Sequence, residues 1–265
     1  MLLKDKTVIV TGGTHGIGRS IVKGCAAEGA RVIFAGRDED AAGSVLNETD
    51  GEICFVKADL ADPNACFTLV DAAMEQYGRL DGLVNNAGIF PPSSLLNTTV
   101  ETLDCVLAVN IRAAFLLCQR AIPYMMKNGG SIVNVGSTHA EAGSTGMAAY
   151  AVSKSALRTL TRHIANNYVS AGIRANWITV GWVLTDGDYA VQRGNGLDDA
   201  RIRANAKSKI PSGRYQEGAE IADAAVFLLS DKSISHTDTD MRVTGGFIPA
   251  FGIEQADAFR KGILS

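Results

Sequence analysis

No stretch of this chain is rich in lysine or arginine, and its net charge is -3 with a pI near 5.8. A polyanion such as a nucleic acid is therefore not an expected partner. The five cysteines (Cys25, Cys54, Cys66, Cys105, Cys118) are odd in number, scattered, and without a CxxC pair. That spacing argues against a disulfide framework or a zinc site, so no metal is expected, and it suits a reducing compartment. Read as small buried hydrophobes, the cysteines need no other role. No apolar run stands out as a membrane span. The opening MLLKDKTVIV runs at once into a strand pattern, which leaves no room for a signal peptide, and a cytoplasmic protein is expected. Internal repeats and low-complexity linkers are also lacking. What remains is a chain of 265 residues, 46% hydrophobic and 20% charged, able to fill one large core.

Short β-rich runs alternate with helical patterns along its length. Strands are expected at 7–11, 31–35, 53–57, 80–84, 131–135, 173–179 and 239–243. Helices are expected after Gly18, from Asp38, at 62–77, 98–127, from Tyr150 to about Ser170, and at 217–230. Such alternation predicts a single-domain α/β fold over 1–265, a doubly wound parallel sheet with helices on both faces. The stretch 183–212 shows little apolar periodicity and reads as a long loop serving as a substrate lid.

Two regions carry chemistry. Gly12, Gly16 and Gly18 lie between the first strand and first helix. Glycines there permit a tight turn, and helix N-terminal N–H groups face a pyrophosphate. An acid at the end of the second strand would bind a ribose 2′-hydroxyl, whereas Gly36 and then Arg37 occupy that place. A guanidinium pairs with a 2′-phosphate, which favours NADP(H) over NAD(H). Asp38 reads equally as a helix N-cap, His15 as a further polar contact or a solvated side chain, and Asp59 as an adenine acceptor or a cap. Asn85, Ala87 and Gly88, where the fourth strand meets its loop, read as backbone supports lining the adenosine side of the crevice.

The second region is 136–154, GSTHAEAGSTGMAAYAVSK. Ser137 ends an apolar run, and Tyr150 and Lys154 stand four apart on one helix face. A hydroxyl, a phenol and a cation brought to one point are what proton transfer to a carbonyl oxygen requires.

These residues, with TGGTHGIG and NNAG in the same order, resemble the short-chain dehydrogenase/reductase family in its compact single-domain branch, from about Thr7 to Gly246. The resemblance implies a Rossmann-type fold and an oxidoreductase passing hydride between a nicotinamide cofactor and a carbonyl or secondary alcohol. Tyr150 would be its general acid or base, Lys154 would lower the phenol pKa and hold the nicotinamide ribose, Ser137 would orient the reacting oxygen, and Asn110 would hold a water linking Lys154 to solvent. It also implies cofactor contacts from Gly12, Thr14, His15, Gly16, Ile17, Gly18, Arg37, Asp59, Leu60, Asn86, Ala87, Gly88, Tyr150, Lys154, Gly181, Val183 and Thr185. A tetramer or dimer built on the helices at 98–127 and 147–170 is implied as well. The chain departs from the family where Pro-Gly after the sixth strand reads Val180-Gly181, and where Asp-Gly-Gly reads Thr244-Gly245-Gly246, expected to be structural.

Substrate is expected between Ser137, Tyr150 and the lid, with Phe90, His139, Glu141, Trp182, Asp186, Asp188, Tyr189 and Arg193 as candidate lining residues. Of these, His139 and Trp182 are the nearest candidates for contact, although His139 and Glu141 read as loop residues before catalysts. The charged lid leans toward a hydroxylated, sugar-like substrate. The rival from another class is a catalytically silent nucleotide-binding sensor or scaffold, which should have lost part of Ser137, Tyr150 and Lys154. A lyase or dehalogenase on the same fold should show a spoiled glycine turn or arginine at 154.

Overall fold

The computed structural model describes residues 1–142 and 146–247, without the side chains of Asp186, Asp188 and Val191. Seven strands form one sheet: β1 (Thr7–Thr11), β2 (Arg31–Gly36), β3 (Ile53–Lys57), β4 (Gly82–Asn85), β5 (Gly130–Val135), β6 (Ile173–Val180) and β7 (Asp240–Val243). Their order is β3-β2-β1-β4-β5-β6-β7, and each neighbouring pair is parallel. The chain reverses direction across the sheet between β1 and β4. In open parallel sheets a crevice forms at that point, beyond the carboxyl ends of the strands.

Alternation along the strands builds two cores. Val8 and Val10 of β1 join Val32, Phe34, Val84 and Val133 beneath α1 (Gly16–Ala27) and α9 (Gly218–Leu229). Ile9 points the other way, with Ile33, Leu83 and Ile132, against α3 (Pro63–Tyr77), α5 (Ala113–Met125) and α6 (Ala148–Tyr168). Each such side chain fully withdrawn from water contributes about 1.5–3 kcal/mol. Burial on both faces explains why these strands read as continuous apolar runs.

Local chemistry sets the helix starts. Asp38 accepts from the Ala41 amide at 2.9 Å and opens α2 (Glu39–Glu48), while Asp62 accepts from Asn64 at the head of α3, with Pro63 at the first helical position. The stretch 98–127 is not one helix. Thr99 caps α4 (Val100–Leu107), a π-helical turn covers Ala108–Arg112, and α5 follows. Val100–Met125 is also long and apolar enough to cross a membrane by length and composition, contrary to the sequence reading. Half of its apolar window is buried inside the fold, where α5 packs on α3.

The stretch 183–212 is largely helical rather than a loop: α7 (Asp186–Gly194) and α8 (Asp199–Lys209) form a hairpin. Its pattern was hidden because α8 is polar nearly all round, with Ile202 and Ala206 as its buried residues. Tyr189 and Arg193 of α7 both bond Asp199, the arginine at 2.6 Å, so they hold the hairpin together.

Candidate active site

Strand β5 delivers Ser137 to the crevice. Gly136 is required there, because a Cβ would meet the Trp177 ring at 1.9 Å. The chain therefore turns over the indole and places Ser137 at the start of a single 3₁₀ turn, Thr138–Ala140. Ser137 Oγ accepts from the His139 amide at 3.2 Å and lies 3.2 Å from His139 Nδ1.

Helix α6 supplies Tyr150 and Lys154. Tyr150 is walled by Phe90, whose ring centroid is 6.0 Å away, and by His139 at 5.8 Å, both edge-on. Burial raises the phenol pKa above its ordinary value, and the hydrogen bond with Ser137 works against that rise. Lys154 is 3% exposed, donates to the Val135 carbonyl at 2.8 Å, and lies 5.7 Å from the centre of the Tyr150 ring. Burial pushes its ammonium down to about 8. Its ammonium lies over the Tyr150 ring, and the Ser137 hydroxyl favours the phenolate.

Asn110 lies in the π-helical turn and is 1% exposed. Its Oδ1 accepts from the Ile89 amide at 2.8 Å, and its Nδ2 donates to the Ile89 carbonyl and to Ser153 Oγ. Both amide hydrogens are thus engaged by protein. π-Turns occur frequently at functional sites, and this one tethers the loop after β4 to α6.

At the other end of the crevice, Gly12 and Gly16 have φ of +64° and +50°, which glycine adopts without strain. A Cβ on Gly18 would strike the Gly12 carbonyl at 2.0 Å, so helix α1 can approach the turn only with glycine there. Asn86 clamps the turn by donating to the carbonyls of Thr11 and Gly12, and the amides of Asn86 and Ala87 donate to Thr11 Oγ1. The His15 side chain does not cap α1, which leaves its first N–H groups open to an anion. Instead His15 Nε2 lies 2.9 Å from Asp38 Oδ2. Asp38 therefore combines the N-cap with a contact to His15. Asp59 accepts from the Ala61 amide in a local turn, so it does not cap the helix that follows, where Asp62 takes that place. Asn85 bonds Asn134 inside the sheet. Gly36 stands where an acid could, but a Cβ there would meet Thr14 Cγ2 at 2.7 Å.

A family model described as enoyl-(acyl carrier protein) reductase matches residues 12–248. The chain belongs to the short-chain dehydrogenase/reductase family. It is 36% identical over 255 residues to L-rhamnose 1-dehydrogenase (NAD(P)(+)) of Azotobacter vinelandii, covering 93% of this chain and 98% of that one. L-Fucose dehydrogenase of Mus musculus is 32% identical over 248 residues, covering 93% and 90%. Among solved structures, a protein taken to be a short-chain alcohol dehydrogenase from Sinorhizobium meliloti 1021 superposes with a TM-score of 0.83 at 30% identity, covering 92% of this chain and 96% of that one. The short-chain dehydrogenase/reductase described here is thus a hydride-transferring oxidoreductase that uses a nicotinamide cofactor and acts on an alcohol or carbonyl group.

The residues present fit such a dinucleotide. The glycine turn is open to a phosphate, and Thr185 lies against it, since a Cβ on Gly16 would be 3.1 Å from Thr185 Cγ2. Gly88 faces the far side, with Asn110 Oδ1 and Lys154 Nζ as the nearest atoms to a Cβ built there. Val180 pairs with Val243 as the last residue of β6 and is buried in the core under α9, while Gly181 donates to the Val243 carbonyl. Thr244 is buried against Gly181, in keeping with a structural role.

The lining residues divide. His139 and Phe90 border Tyr150. Trp182 is 41% exposed between Phe247 and Lys209, so it is available to a ligand. Glu141 pairs with Arg242 at 2.7 Å and is held away from such a role. The side chains of Asp186 and Asp188, and residues 143–145 of the stretch after Ser137, lie outside the described residues. Sequence reasoning missed Gln216, which joins the base of the hairpin to the sheet end. Its amide donates to the Trp182 carbonyl and its carbonyl accepts from Leu184. A lone glutamine after a polar stretch gives no signal for that.

Proposed function

We propose that this enzyme interconverts a hydroxyl and a carbonyl on a polyhydroxylated, sugar-like substrate, with NADP(H) as the favoured cofactor. The observation that carries the reading is the convergence of Ser137, Tyr150 and Lys154 at one end of a crevice whose other end is an open glycine turn. In this reading Tyr150 gives a proton to, or takes it from, the reacting oxygen, and Ser137 fixes that oxygen by a hydrogen bond. Lys154 supports the nicotinamide ribose, and Asn110 holds the loop that Gly88 belongs to. Because both hydrogens of its side-chain amide are engaged, a water relay from Asn110 would fall to its backbone carbonyl. The cofactor, when bound, supplies or accepts the hydride. Gly12, Gly16, Gly18 and the first N–H groups of α1 hold its pyrophosphate. Trp182 and the hairpin α7–α8 cover the substrate, as a lid joined to the body through Gln216.

The sugar-like substrate is supported by the relatives named for L-rhamnose and L-fucose. An aldose panel that includes both, run with NADP+ and with NAD+, tests the reading; no turnover of any aldose in the presence of either nucleotide would overturn it. NADP(H) is supported by Arg37, exposed beside Gly36, where no acid can stand without moving Thr14. Arg37→Ser is expected to weaken NADPH binding at least tenfold, about 1.4 kcal/mol, with little change for NADH. Equal losses for both nucleotides, measured by fluorescence titration, would place Arg37 away from the 2′-phosphate.

The free thiols of Cys25, Cys54, Cys66, Cys105 and Cys118 support a reducing, cytoplasmic setting. Leu103 of α4, Phe115 of α5 and Val152 of α6 expose apolar surface, which supports a homo-oligomer formed through these helices. Light scattering that showed a monomer at micromolar concentration would remove that part of the reading.

A further inference from the structure

Ser137 has one hydroxyl hydrogen and more neighbours than that hydrogen can serve. Its Oγ accepts from the His139 amide at 3.2 Å and faces His139 Nδ1 at 3.2 Å, beside the Tyr150 phenol. In the catalytic reading Ser137 donates its one hydrogen to the reacting oxygen. Towards His139 the serine then has only a lone pair to offer. The contact at Nδ1 is a hydrogen bond only if Nδ1 carries the proton.

We propose that His139 is a positioning residue, which donates from Nδ1 to Ser137 Oγ and so holds the serine hydroxyl turned towards the substrate oxygen. The opposite tautomer would accept the serine hydrogen and draw it away from the reaction. The ring is placed for this by its edge-on contact with Tyr150 at 5.8 Å and by the 3₁₀ turn Thr138–Ala140. Burial lowers the pKa of His139 below its ordinary value, so the ring is neutral at pH 7 and its tautomer matters. Nδ1 has a protein neighbour in Ser137 Oγ at 3.2 Å, the contact that favours one tautomer over the other. The inference rests on the catalytic reading of Ser137 given above.

Two measurements test it. In the nucleotide-free enzyme, nitrogen chemical shifts of the four histidines report each tautomer. His139 is expected in the Nδ1–H form, and Ser137→Ala is expected to move it towards Nε2–H. An Nε2–H form in the parent, unmoved by Ser137→Ala, would overturn the proposal. In L-rhamnose oxidation with NADP+, His139→Phe keeps a ring against Tyr150 but loses the nitrogen, and is expected to lower kcat about tenfold with KM little changed. His139→Asn, whose amide can donate from nearly the same place, should restore most of that loss. Equal losses in both variants, or none in His139→Phe, would mark the ring as packing only. If Ser137→Ala itself turns over normally, it is the catalytic reading that fails. If L-rhamnose is not oxidised, the substrate reading fails, and the tautomer measurement still decides the role of His139.

Discussion

Tyr150→Phe is expected to lower kcat by about 10²–10⁴, the range by which a positioned acid or base accelerates proton transfer. The ring is wedged edge-on between Phe90 and His139, and phenylalanine keeps that packing. Loss of the phenol hydroxyl, beside Ser137, should change stability by only about 1 kcal/mol. The nucleotide site reaches Tyr150 only at its far end, so NADPH affinity should stay within about threefold. The expected signature is therefore a lost kcat with the fold and cofactor binding intact. A variant that retained near-parental turnover would show that another group, with Lys154 the nearest cation, moves the proton. A variant that failed to bind nucleotide would show that the phenol supports the cofactor more than the chemistry.

Much of this arrangement could be read before any coordinates. Strands β1, β2 and β3 matched the expected runs to within a residue: β1 and β2 are buried and leave an unbroken apolar signal, while β3, at the sheet edge and half-buried, is legible through Ile53, Phe55 and Val56. Ser137, Tyr150 and Lys154 were legible through their type and an i,i+4 spacing, and the structure brings all three together. Three features were not legible, each for a physical reason. Helix α8 carries almost no apolar stripe, so a pattern built on burial could not find it. The π-turn at Ala108–Arg112 changes the hydrogen-bond register without changing composition, and it is what buries Asn110. The pKa values of Tyr150 and Lys154 depend on how deeply they lie, and spacing along a helix says nothing of depth.

That depth leads to the second large effect. Lys154→Met is expected to make the nucleotide-free protein more stable at neutral pH while lowering turnover by at least about a hundredfold. The amine is fully enclosed, and burial brings its pKa from 10.5 to about 8. A shift of that size corresponds to a penalty of about 3 kcal/mol for keeping the cation inside. Methionine has similar length and carries no charge, but it leaves the Val135 carbonyl without its 2.8 Å donor, at a cost of about 1–2 kcal/mol. The net gain is about 1–2 kcal/mol. Its pH dependence has a definite sign. Below about pH 8 both the folded and the unfolded chain hold the proton, and the whole penalty stands. From about 8 to 10.5 the unfolded chain binds more protons than the folded one, so parental stability climbs with pH as the penalty is released. The variant lacks that climb, and the two should converge as the solution becomes alkaline. Urea unfolding at about pH 7 and about pH 9.5, with no nucleotide present, measures both points. Equal stability at neutral pH with parallel slopes would mean that the amine is solvated after all. A variant more stable than the parent at neutral pH would mean that the fold carries a buried cation whose burial the bond to Val135 does not fully offset in the free state, a cost that makes physical sense only if a bound partner later offsets it.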